Sequence, residues 1–84
     1  IDQIDDDAYD SEIKETNVFR LKEVMDKLNA EDKSILLMKY QDDLSIKDIC
    51  NILDKTESAI KMKILRAKEK FLRIYNDDFG EMAS

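Results

Sequence analysis

The chain has no histidine, no proline and no tryptophan, and it holds one cysteine and one glycine in 84 residues. Each absence removes a class of chemistry or architecture. Without histidine, and with Cys50 as the lone thiol, there is no nucleophile–base pair and no cysteine–histidine cluster for a metal. A phosphate loop needs several glycines close together, whereas Gly80 stands alone. The acidic run Asp5, Asp6 and Asp7 lacks the loop glycine and the twelfth-position glutamate of an EF-hand, so it reads as a weak cation cloud. The expectation is no enzyme, no metal and no cofactor. A single cysteine excludes an intrachain disulfide. No apolar run approaches the roughly 20 residues of a membrane span and no signal-peptide core is visible, which predicts a cytoplasmic chain without membrane contact.

What is present favours helices. Charged residues make up 40% of the chain, Lys, Glu, Leu and Ile are abundant, and turn punctuation is nearly missing. A chain of this length supports three or four helices around one core. The expected fold class is therefore all-α, a small bundle of about four helices containing a helix-turn-helix. Because it starts at Ile1 rather than methionine, the chain is expected to be a piece of a longer protein. Residues 1–10 read as an acidic flexible linker, 11–75 as the folded domain, and 76–84 as a flexible acidic tail in which Gly80 stops the last helix and Phe79 is unplaced. A first helix is expected to begin within 11–16 and run to Leu28, burying Val18, Leu21, Met25 and Leu28. Asn29 should cap a second, with Asp32 three residues on and Ile35, Leu36, Leu37 and Tyr40 buried. Residues 41–43 then form a loop.

The most informative stretch is 44–71, LSIKDICNILDKTESAIKMKILRAKEKF. Ser45 with Asp48 three residues on makes a capping box for a short helix ending at Leu53, with Ile46, Ile49, Cys50 and Leu53 at helical spacing. Asp54 and Lys55 make a tight turn, aspartate being tolerant of the left-handed conformation such a turn needs. Thr56 caps the next helix, in which Ile60, Ile64, Ala67 and Phe71 form one buried stripe. Geometry then assigns Ser58, Met62, Leu65, Arg66 and Glu69 to the opposite face, flanked by Lys61 and Lys63. A recognition helix sets such residues against base edges and such cations against phosphates.

Net charge is −6, which is unusual for a nucleic-acid binder, but its distribution is polar. Residues 55–75 hold seven cations against two acids, whereas residues 1–32 hold four cations against eleven acids. An acidic arm and a basic helix are thus separated along the chain.

Over about 18–75 the sequence resembles region 4, the promoter-reading domain, of bacterial sigma-70 family factors, and most closely the extracytoplasmic-function group. The resemblance rests on LNAEDKSILLMKYQDDLSIKDICNILDKTESAIKMKILRAKEKF, and its most discriminating piece is Arg66-Ala67-Lys68. The sequence departs from the family where glycine is common at Asp54, a small apolar residue at Lys55, a small residue at Ser58, a polar one at Met62 and an aromatic one at Leu65. Cys50 takes a place where relatives usually have alanine, so it is expected to be a buried packing residue. The resemblance implies DNA binding at the minus-35 promoter element in transcription initiation, with Lys47, Lys55, Thr56, Ser58, Lys61, Met62, Lys63, Leu65 and Arg66 at the DNA. It also implies two protein partners, the beta flap of RNA polymerase core and an anti-sigma factor. Two alternatives remain open: a helix-turn-helix regulator outside the sigma family, and a helical interaction module that docks a partner through Met62, Leu65 and the apolar faces of the first two helices.

Overall fold

The computed structural model describes residues 10–80, and every described element is a helix. In chain order these are α1 (Asp10–Lys14), α2 (Val18–Lys27), α3 (Ala30–Tyr40), α4 (Ile46–Leu53) and α5 (Glu57–Phe79). The expected run 1–9, including Asp5, Asp6 and Asp7, and the tail residues 81–84 lie outside the described residues. No helix among the described residues is long and apolar enough to cross a membrane.

The single helix expected from 11–16 to Leu28 is instead two. The Thr16 hydroxyl turns back to the Glu12 carbonyl at 2.9 Å, and the Asn17 side chain accepts from the Phe19 amide at 2.9 Å. Two adjacent residues whose side chains compete for backbone groups thus end α1 and cap α2. The shift re-aims the face of α2. Val18, expected inside, is 76% exposed, while Val24 takes the core position at 0%. Met25 and Leu28 are buried as expected and Leu21 is half-buried.

Asn29 caps α3 by accepting from the Asp32 amide at 2.8 Å. Ile35 and Leu36 are buried, whereas Leu37 and Tyr40 are only half-buried. After α3 the chain reverses through Asp43 at φ 55°, with the Leu44 amide reaching back to the Met38 carbonyl at 2.9 Å. That closes the orphan carbonyls at the helix end.

The core lies where α5 crosses α2, α3 and α4: Ile60, Ile64, Ala67 and Phe71 are all buried against Val24, Ile35, Leu36 and Ile49. Tyr75 extends the stripe, and α5 continues four residues beyond it before Gly80 ends it in the left-handed region at φ 71°. Phe79, expected to be unplaced, packs its ring 5.1 Å from that of Tyr75, and the Arg20 guanidinium stands 4.7 Å over it. Lys27 pairs with Asp78 at 2.5 Å beside them. Asp10, expected to close the linker, is the first residue of α1 and has its own partner in the core.

Candidate nucleic-acid interface

The α4–α5 pair is set by local sequence. Ser45 accepts from the Asp48 amide at 3.1 Å, and the Asp48 carboxylate accepts from the Ser45 amide at 3.4 Å, closing the capping box. Asp54 adopts φ 56°, ψ 51°, and the Lys55 amide donates to the Cys50 carbonyl at 3.1 Å, which ends α4. Thr56 then caps α5 by accepting from the Ala59 amide at 3.2 Å. Ile49 and Ile60, both fully buried, fix the angle between the two helices from beneath. Cys50 is half-buried against the same core, so it packs at the joint without being sealed in it.

With Ile60 and Ile64 turned inward, the outer face of α5 follows. Ser58, Arg66 and Glu69 are exposed, and Met62 and Leu65 are half-buried between them. Lys61 and Lys63 flank this face on either side, both half-buried. Lys47 is exposed on the first turn of α4, and Lys55 and Thr56 are exposed at the turn. The nine residues singled out in the sequence thus fall on the start of α4, the turn and the first half of α5.

The Arg66-Ala67-Lys68 run divides three ways. Arg66 faces out, Ala67 is at 0% exposure under the helix, and Lys68 is buried at 1%. The Lys68 ammonium pairs with Asp10 at 2.7 Å and lies 5.7 Å from the centre of the Tyr40 ring, whose hydroxyl donates to Asp10. Burial pushes the Asp10 carboxyl up, but the Lys68 and Tyr40 hydrogen bonds and the Lys68 charge together leave it below the usual aspartate range. Lys70 pairs with Asp32 at 2.9 Å, and Lys63 with Glu31 at 2.8 Å. Lys63, Lys68 and Lys70 are therefore matched by acids of α1 and α3.

Sequence reasoning missed Glu31, which bonds to the flank of this face. No local pattern announces it, because its partner is 32 residues away. The inward turn of Lys68 did leave a signal: it follows Ile64 by four residues and precedes Tyr75 by seven, so helical spacing puts it beside the buried stripe.

Elsewhere, an open apolar groove runs between α1, α2 and α3, lined by Ile13, Leu21, Met25, Leu37 and Tyr40. Beside it α2 opens with Val18 and Phe19, which is 82% exposed.

A match to the family described as Sigma-70, region 4 covers residues 19–71. The span runs from the second residue of α2 to Phe71 of α5, and contains the whole candidate face. No match was found among curated proteins or among solved structures. Region 4 is a DNA-binding family rather than an enzyme family, and it works with RNA polymerase. With most of its length matched and the capped helix-turn-helix in place, the chain belongs to the sigma-70 region 4 family, the domain that binds the minus-35 promoter element in transcription initiation.

Proposed function

We propose that this is the minus-35 reader of an extracytoplasmic-function-type sigma factor, working in the cytoplasm, and that Lys47, Lys55, Thr56, Ser58, Lys61, Met62, Lys63, Leu65 and Arg66 form its DNA contact. The observation that carries this is the outer face of α5: one exposed arginine and a small hydroxyl around two apolar side chains, flanked by lysines. Arg66 reaches a base edge or the adjacent phosphate, and Met62 and Leu65 make apolar contact in the major groove. Lys61, Lys63, Lys47 and Lys55 take phosphates, which position the helix without reading sequence. Selection of bound duplexes from a random pool, using the protein with core polymerase, tests this. A single recovered consensus lost on Arg66→Ala is the expected result; recovery without any consensus would sink it.

A second reading concerns proteins and rests on the groove. The apolar lining between α1, α2 and α3, continued by exposed Val18 and Phe19, suits an amphipathic partner helix. The beta flap of polymerase is the occupant this reading favours, with an anti-sigma factor as its competitor. Phe19→Ser is expected to weaken core polymerase binding while leaving binding to free DNA unchanged.

A further inference from the structure

Glu31 and Asp32 are consecutive acids in the first turn of α3, and both reach one flank of α5. Their situations differ. The Asp32 side chain is 12% exposed and holds Lys70, seven residues beyond Lys63 on the same flank of α5. Glu31 is 66% exposed, and its carboxylate bonds at 2.8 Å to Lys63, a cation on the edge of that face.

We propose that Glu31 is an internal counter-charge that occupies Lys63 in place of a DNA phosphate and thereby sets the affinity and salt dependence of the domain. The inference rests on the reading of Lys63 and Lys55 as phosphate contacts. A lysine is a compact point charge on a flexible stem, so the same ammonium can exchange one anionic oxygen for another with little rearrangement. The Glu31 carboxyl is held below its usual range first by the Lys63 hydrogen bond and then by the Lys63 charge, with Lys55 adding to the effect. The carboxylate therefore sits in the field of two proposed phosphate contacts, one on α5 and one in the turn.

Two consequences follow for DNA. With Glu31 beside it, Lys63 brings little net positive charge to a phosphate, so fewer of the cations condensed on the DNA are released. The displaced carboxylate also stays beside the backbone as a like charge. Glu31 has a second effect, because an acid in the first turn complements the α3 dipole. Glu31→Asp keeps that charge but shortens the reach to Lys63, and so separates the two.

Anisotropy titrations of the 84-residue chain on a labelled minus-35 duplex and on a scrambled duplex, across a salt series, test the proposal. Glu31→Gln is expected to bind both duplexes roughly two- to fivefold tighter at low salt, an exposed pair being weak. Its salt dependence should steepen by at most about 0.9 in log–log slope, the equivalent of one phosphate fully neutralised. Glu31→Asp should move in the same direction by less, with thermal stability kept at the wild-type value. In a Lys63→Ala background the gain from Glu31→Gln should shrink to what the like charge and Lys55 leave. Unchanged or weaker binding by Glu31→Gln would overturn the proposal, as would a full gain that persists without Lys63. A wild-type chain that bound neither duplex would overturn instead the DNA-contact reading on which it rests.

Discussion

The two halves of α5 hold similar residues in opposite circumstances. From Glu57 to Arg66, lysines and an arginine stand around a partly apolar outer face, with Ser58 and Arg66 exposed. From Ala67 to Phe79, Lys68 is sealed against Asp10, Lys70 is held by Asp32, Asp78 is held by Lys27, and Phe79 lies under Arg20. The first half keeps its charge near the surface, with Lys63 held only by the exposed Glu31, and the second uses charge to fasten α1, α2 and α3 to the domain. A basic helix in sequence is therefore not a basic surface in the fold: where each cation ends up is decided by acids brought in from other helices.

The largest break in this contrast is expected at Asp10. Removing one partner of a buried pair leaves an uncompensated charge, which costs about 3 to 5 kcal/mol. Asp10→Ala takes from Lys68, at 1% exposure, the carboxylate that pairs with it at 2.7 Å, whereas Lys68→Met leaves an aspartate that retains some contact with water. Asp10→Ala should thus be the more destabilising of the two in urea unfolding at neutral pH, and a chain starting at Ser11 should share its defect. The pH dependence follows with a definite sign. Because the folded Asp10 carboxyl titrates below the unfolded one, its stabilisation is complete above the unfolded aspartate pKa of about 3.9 and is lost as pH falls through the lower folded value. The gap between wild type and Asp10→Ala should therefore close on acidification, and a constant gap would show that the ion pair is not its source.

The first half of α5 should respond in DNA binding instead. Arg66→Ala is expected to relax discrimination at one promoter position by roughly 1 to 3 kcal/mol. Lys61→Ala should weaken all sequences about equally and lower the salt slope by about one unit. Arg66→Ala should not shift thermal stability by more than about 0.5 kcal/mol, Arg66 being exposed. If Arg66→Ala instead lowered the stability of the domain while leaving its DNA binding unchanged, the two halves would have been assigned the wrong way round.

Cys50 sits at the joint between scaffold and recognition helices. Cys50→Ala should fold and bind DNA nearly as wild type, while Cys50→Leu should disturb the interhelical angle at about 1 kcal/mol, the lower end for overpacking because the site is half-buried. Equal stability of the two variants, measured by urea unfolding, would show that the joint has room to spare.

The contrast also explains what was legible in sequence. Ser45 with Asp48, Asp54, and Thr56 with Ala59 act within three residues of themselves, so the caps, the turn and the α4 and α5 starts could be read directly. The stripe Ile60, Ile64, Ala67 and Phe71 was legible because periodicity on one long helix is unambiguous. The N-terminal layer was not, because its evidence is long-range: Arg20 to Tyr75 spans 55 residues, Lys27 to Asp78 spans 51, and Glu31 to Lys63 spans 32. Val18 misled because it keeps the spacing of Leu21 and Met25, yet follows a cap that starts a new helix. Phe79 was unreadable because Arg20, which stands over its ring, belongs to a helix far away in the chain, whereas Lys68 carried a local signal in its spacing.

The smallest expected effect sharpens how far local sequence alone sets the recognition half. Asp54 holds φ 56° at the end of α4, a conformation that costs an L-residue about 1 to 2 kcal/mol and an aspartate less. Glycine removes that strain but loses about 0.5 to 1 kcal/mol in backbone entropy. The two nearly offset, so Asp54→Gly should stabilise the domain by at most about 0.5 kcal/mol, or some 2 to 4 °C in Tm for a domain of this size. DNA affinity should not change, since the turn keeps its geometry and Lys55 and Thr56 keep their places. Asp43, at φ 55° between α3 and α4, offers the matched control on the other side of α4. If Asp54→Gly loosened DNA binding while Asp43→Gly did not, with both equally stable, the Asp54 side chain would be holding the turn in its reading position.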